Sequence, residues 1–151
     1  MVLINTKSMH STTINFYFED ISFTLKQKKQ LRSWIKASIQ NENFEEGPIS
    51  YIFCSDKYLH EMNVKYLNHD TFTDIITFDY TENRIISGDL FISYDRVKQN
   101  AKLFSKTIKN ELHRVMIHGV LHLCKFGDKT EEDKTIMRHK ENQYLLALEE
   151  L

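Results

Sequence analysis

Two histidines four residues apart, His118 and His122, are followed closely by Gly127 and Asp128. On an α-helix, which turns every ~3.6 residues, that spacing puts both imidazoles on one face. Gly127 is placed to end the helix and turn the chain, so Asp128 returns as a third donor. Three N/O donors on one side of an ion leave a fourth position open to water. This is the arrangement of a catalytic zinc site, not of a closed structural one. Bound Zn²⁺ lowers the pKa of water from about 15.7 to about 7, so an ester or phosphodiester could be hydrolysed without a dedicated base in the motif. A histidine pair at this spacing is weak on its own, because the chain has seven histidines. Gly119 strengthens it, since a helical glycine costs ~1 kcal/mol relative to alanine and points to something packed close by. The same glycine stands where HExxH zinc peptidases carry their glutamate base, which makes a peptidase the weakest metal-hydrolase reading.

The elements that must hold these residues follow from pattern. Residues 12–18 alternate apolar and polar side chains with β-branched and aromatic content, which predicts a strand. Leu31, Trp34, Ile35 and Ile39 repeat at helical spacing within residues 25–39. Gly47-Pro48 is expected to break the chain before a second strand at 49–54. Ser55-Asp56 can cap a helix running to about Leu67. Residues 73–78 and 85–92 are the next two strands, with a hairpin turn in the polar stretch 80–83. A helix from Asp95 to about Phe104 leads into the histidine helix, which starts near Ser105. Thr130-Glu-Glu-Asp133 resembles a capping box for a last helix towards Glu149. The order β-α-β-α-β-β-α-α-α predicts an α+β domain, a mixed sheet of about four strands packed with helices, spanning residues 12–151 after a poorly ordered leader at 1–11.

Composition narrows the class. The chain has 151 residues, with Lys+Arg 20 against Asp+Glu 21 and a net charge of −1. Any nucleic-acid binding therefore needs a local basic face. Cys54 and Cys124 form no CxxC pair and fit reduced thiols, Cys124 as a buried core residue off the ligand face. His113 lies off that face as well, and His69 and His139 have no spacing argument. The amino end lacks the basic and apolar regions of a signal peptide, and no apolar run approaches a membrane span. A soluble intracellular protein is the expectation. Two basic runs are available for phosphate: Lys26, Lys28, Lys29, Arg32 and Lys36, and then Lys98, Lys102, Lys106 and Lys109 at three- to four-residue spacing. Tyr58, Tyr66 and Phe72 could stack bases, although their spacing is more usual for core residues.

His118-Gly-Val-Leu-His122-Leu123 followed by Asp128 resembles the HGxLHLxGYDH motif of the YbeY family of bacterial endoribonucleases and rRNA maturation factors. Met62-Asn63 through Thr73-Asp74-Ile-Ile-Thr-Phe78 is similar to that family's LN…TDVLSF segment, and Gly88-Asp89-Leu90-Phe-Ile92 to its GDIxI strand. The resemblance runs in order over residues 55–148. Three departures stand out. Asp128 occupies the place of the family's third histidine, where a carboxylate is an acceptable zinc ligand at ~2.0–2.2 Å but makes the ion less electrophilic. Lys125-Phe126 replaces the family's GY, with Gly127 displaced by two places. The arginine common between LN and TD aligns with Leu67.

The resemblance implies a zinc-dependent, single-strand-specific endoribonuclease acting in 16S rRNA 3′ end maturation and ribosome quality control in the cytoplasm. One Zn²⁺ per chain would sit on His118, His122 and Asp128, with water or the RNA 2′-hydroxyl as nucleophile. Partners would be single-stranded rRNA, the small ribosomal subunit and its assembly factors. Arg84, Arg114 and Lys125 are candidates to replace the missing arginine on RNA phosphate. Asp74 and Asp89, at strand starts in the matching motifs, are candidates to orient an imidazole N–H or contact RNA, though aspartate also caps turns there. The alternative is a ribosome-assembly RNA-binding protein whose metal site is mainly structural.

Overall fold

The computed structural model describes residues 13–151, so the leader expected at 1–11 lies outside the described residues. In chain order the elements are β1 (Ile14–Phe18), α1 (Lys28–Asn41), β2 (Glu45–Cys54), α2 (Asp56–Leu67), β3 (Ile75–Asp79), β4 (Ile85–Ser93), α3 (Tyr94–Leu103), α4 (Ile108–Leu123) and α5 (Glu131–Glu149). This is the expected α+β order. The four strands form one mixed sheet in the order β1-β2-β4-β3. β1 and β2 are joined through a helix and pair in parallel, β2 and β4 are also parallel, and the directly connected β3 and β4 are antiparallel.

Local chemistry explains most boundaries. Ser55, Ser93, Thr107 and Thr130 each accept a backbone N–H at the start of α2, α3, α4 and α5. The β3–β4 hairpin closes with two backbone bonds exchanged between Glu82 and Ile85. Asn83 and Arg84 hold φ of 51° and 62° between them, the left-handed pair of a type I′ turn. The turn tip thus lies slightly beyond the expected 80–83 stretch.

Gly47-Pro48 does not break the chain as expected. β2 begins at Glu45 and passes through both residues, with its register to β4 shifting between Glu46 and Ile49. Pairing with β1 begins only at Ile49, so Pro48 lies where no β1 ladder partner is required. Gly47 is needed there: a Cβ would come within 2.6 Å of the Ile86 carbonyl oxygen.

Side chains of the two central strands alternate between two cores. Ile49, Tyr51 and Phe53 of β2 and Ile86, Leu90 and Ile92 of β4 face α1, α4 and α5 in the main core, with Trp34, Val115, Met116 and Val120. On the opposite face, Cys54, Ile76 and Phe91 pack with Leu59 and Met62 of α2. α4 is enclosed on most of its circumference, and Tyr51 Oη donates to the Met116 carbonyl at 3.0 Å. Gly119 is where α4 meets the sheet most closely: a Cβ would lie 2.7 Å from Ile75 Cδ1 and 3.2 Å from a Leu90 methyl. The close approach expected from a glycine inside the helix is therefore to β3 and β4. It also excludes a glutamate base beside His118.

Candidate metal centre

α4 presents His118 and His122 near its C-terminal end, and the turn that follows completes the site. The helix stops at Leu123 with Cys124 as its cap. The Lys125 N–H then returns to the His122 carbonyl at 2.9 Å and the Phe126 N–H to the Leu121 carbonyl at 3.0 Å. These two bonds make a Schellman ending, and its left-handed position is taken by Lys125 at φ 77°. Gly127, expected to turn the chain, has no positive φ. Its Cβ would instead approach the Asp133 carboxylate at 3.3 Å. The turn sits at the family's glycine position even though lysine fills it.

This ending aims two groups at the histidines. The Phe126 carbonyl lies 2.9 Å from His122 Nδ1. Asp128 Oδ2 lies 3.2 Å from His122 Nε2 and 3.4 Å from His118 Nε2, and the two Nε2 atoms are 3.0 Å apart. His118 Nδ1 is 2.6 Å from Glu141 Oε2 on α5.

The proton positions follow from the partners. A backbone carbonyl only accepts, so His122 carries its hydrogen on Nδ1. Burial would push the Glu141 carboxyl up, but the His118 hydrogen bond and the Arg114 charge outweigh it and hold it below the usual range. Glu141 is therefore an ionised acceptor, and His118 also carries its hydrogen on Nδ1. In neutral imidazoles both Nε2 atoms are then bare lone pairs, facing each other and a carboxylate oxygen with no donor between them. Three acceptors at 3.0–3.4 Å repel unless a proton or a metal ion lies among them. A tetrahedral ion with bonds of about 2.0–2.2 Å needs donor separations of about 3.3–3.6 Å. The observed 3.0–3.4 Å lies at and just below that range, so the three donors need to part by only a few tenths of an ångström to hold an ion of that size. Asp128 is 42% exposed on its side chain, and the three groups open into a groove of about 680 Å³ that also meets Asn63, Leu67, Thr73 and Asp74.

Glu141 was not visible as a site residue from spacing alone. A signal does exist: Met137, Glu141, Tyr144 and Leu148 form the buried stripe of α5, and an acid in an apolar stripe requires a partner. Arg114 is that partner, 3.2 Å from Glu141, paired also with Glu111 and 3.8 Å from Asp74. Asp74 lies on the groove wall, and burial pushes its carboxyl up despite the nearby Arg114 charge. Asp89 is not brought to the histidines. It alternates with Gly88 and Leu90, which face α4, and so lies on the α2 side of the sheet, where Tyr80 Oη donates to it at 3.3 Å.

The other expected residues are placed as follows. Lys125 reaches Asp79 at 3.0 Å on the rim of the groove. Arg84 donates to the Asn43 carbonyl at 2.8 Å and lies over the Phe44 ring. Arg114 is turned inward among its carboxylates. The Lys98–Lys109 stripe is interrupted, since α3 ends at Leu103 and α4 begins at Ile108. Arg32 of the first basic run donates to the Ile14 carbonyl, and Lys36 pairs with Glu46. Tyr66 and Phe72 are 57% and 56% exposed, not core as their spacing suggested; Phe72 stacks on His60 and lies beneath Arg96. Cys124 is buried off the ligand face, and burial pushes its thiol up to about 12. Among the described residues no helix is long and apolar enough to cross a membrane.

Comparison with known proteins agrees with this geometry. The family model described as Endoribonuclease YbeY matches residues 13–149. A Flavobacterium johnsoniae protein named Endoribonuclease YbeY is 50% identical over 130 residues, covering 86% of this chain and 93% of the relative. One of the same name from Parabacteroides distasonis is 50% identical over 137 residues, covering 91% and 96%. The solution structure of a Thermotoga maritima protein shares the fold, with a TM-score of 0.64 at 24% identity over 89% of this chain and 88% of that one. A match this long, over a chain whose helix and turn bring two imidazoles and a carboxylate together, means that the protein belongs to the Endoribonuclease YbeY family.

Proposed function

We propose that this protein is a zinc-dependent endoribonuclease that cuts single-stranded RNA, acting in the cytoplasm on the 3′ end of 16S rRNA and in ribosome quality control. One observation carries the reading: two imidazole lone pairs and a carboxylate oxygen converge at 3.0–3.4 Å at the head of an open groove. When bound, the ion supplies Lewis acidity to a phosphoryl oxygen and acidifies a coordinated water. The chain supplies everything that makes this possible. His118, His122 and Asp128 hold the ion. Glu141 and the Phe126 carbonyl keep both histidine protons on Nδ1. Gly119 lets α4 lie against β3 and β4, so the histidines open beside the edge strand that lines the groove. Lys129 lines the groove and Lys125 pairs with Asp79 on its wall, and we assign RNA phosphate contact to these two in preference to Arg84 and the inward Arg114.

A ribosome-assembly factor with a structural ion is the second reading, favoured by one observation: the groove wall position that the family fills with arginine is the apolar Leu67. A time course on single-stranded RNA separates the two. Zinc-loaded wild type should cleave, and His118→Ala and His122→Ala should not. A fully metallated wild type that binds the small subunit but leaves single-stranded RNA intact would establish the assembly-factor reading instead. Equal cleavage by the metal-free variants would refute the catalytic assignment of this site.

A further inference from the structure

We propose that Glu141 is a positioning residue of the metal centre, and that Arg114 serves to hold it there. The proposal rests on the metal-binding reading given above. Glu141 is 2% exposed and stands in the buried stripe of α5 between Met137 and Tyr144. An aliphatic side chain would pack α5 at less cost, because a carboxylate in the interior must be fully paired to be tolerated. Its pairing is divided between two jobs. Oε1 meets Arg114 at 3.2 Å and Oε2 meets His118 Nδ1 at 2.6 Å. Arg114, itself half-buried, is shared with Glu111 and lies near Asp74, so one guanidinium anchors both the acid behind His118 and an acid on the groove wall.

The second oxygen fixes the ring. With Nδ1–H directed to a carboxylate, His118 can offer only Nε2 to an ion, in one orientation, and the donor nitrogen becomes more basic. His122 is held differently, by the Phe126 main-chain carbonyl, which no substitution removes. The two ligands are thus unequal: His118 depends on a side chain 23 residues downstream and His122 on the path of its own turn. Changing Glu141 should weaken one ligand while leaving the other two in place.

The test measures zinc and cobalt binding, not RNA cleavage. Glu141→Gln should raise the Kd for Zn²⁺ by about 10–100-fold in competition with a chromophoric chelator and shift the visible bands of the Co²⁺-loaded protein. Arg138→Gln removes a more exposed cation 3.5 Å from the same carboxylate and serves as a control that should change neither. Urea denaturation of the metal-free forms separates a positioning role from a merely structural one: a structural role lowers stability but leaves Kd and the cobalt spectrum unchanged. Should Glu141→Gln fail to fold, long-range ¹H–¹⁵N correlations on zinc-loaded wild type decide the matter, with both imidazoles expected to show Nδ1–H and ligation through Nε2. Wild-type zinc affinity retained by a folded Glu141→Gln, or ligation of His118 through Nδ1, overturns the proposal and leaves the metal centre standing. A wild type that holds no zinc overturns both.

Discussion

His113 lies five residues before His118, the first of the proposed metal ligands, and its burial predicts a pH-dependent loss of stability separable from metal binding. It is 6% exposed on α4, with its ring 6.0 Å from that of Trp34. Burial, with a contribution from Lys109, lowers its pKa from 6.5 to about 4. The folded form therefore keeps His113 neutral where the unfolded chain takes up a proton. Above pH 6.5 both states are neutral and stability is complete. As pH falls from 6.5 towards 4 the unfolded state binds the extra proton and stability is lost, and below about 4 the loss is finished. At about 1.4 kcal/mol per pKa unit the full effect is about 3 kcal/mol, with about 2 kcal/mol already gone at pH 5. Urea titrations of metal-free wild type and His113→Leu, run between pH 4.5 and 7.5, measure it. Contributions from His118, His122 and the carboxylates occur in both proteins and cancel in the difference. The leucine variant should gain on wild type by about 1.4 kcal/mol per pH unit through the window. A stability difference independent of pH would refute the reasoning and mean that His113 titrates as a solvated imidazole.

Three further outcomes are expected. Asp128→Ala should lose zinc in chelator competition because one of three protein ligands is gone, while Asp128→His should retain it at least as well; equal retention by wild type and the alanine form would remove Asp128 from the site. Leu67→Arg, which puts a guanidinium on the groove wall, should raise kcat/KM on single-stranded RNA and steepen its salt dependence, and an unchanged salt slope would mean that RNA does not pass this wall. Lys125→Gly should stabilise the protein by about 0.5–1 kcal/mol in thermal or urea unfolding, since glycine relieves the left-handed backbone and the exposed pair with Asp79 is worth little; a destabilised variant would show that the pair outweighs the strain.

The helices and strands were legible because apolar periodicity and capping residues act locally. Leu31, Trp34, Ile35 and Ile39 mark α1, and Thr130 marks the start of α5. Gly47-Pro48 misled because its tolerance within β2 depends on where β1 begins to pair, which is set by partners elsewhere in the chain. At the site, the His118–His122 spacing and Asp128 fall within a single helix and turn, and the pattern carried them. Glu141 and the inward turn of Arg114 arise only when α5 packs on α4, a contact made across 27 residues. Asp89 is the opposite case: it sits in a motif strand, yet strand alternation sends it to the face away from the histidines.

The Schellman ending of α4 bears on how this protein can change over time. His122 takes its acceptor from the main chain at Phe126, and Asp128 follows two positions later, so the site depends on how many residues leave the helix more than on which ones they are. Lysine can stand at the left-handed position, phenylalanine can follow it, and glycine can move two places, with the carbonyl still meeting the imidazole. One residue inserted or deleted between Cys124 and Asp128 has no such latitude, because it rotates the carbonyl away and carries the carboxylate past the two imidazoles. The segment is permissive in spelling and strict in length. A drifting lineage can therefore rewrite these letters freely, while a single-codon insertion or deletion here would remove both the orientation of His122 and the third proposed ligand at once.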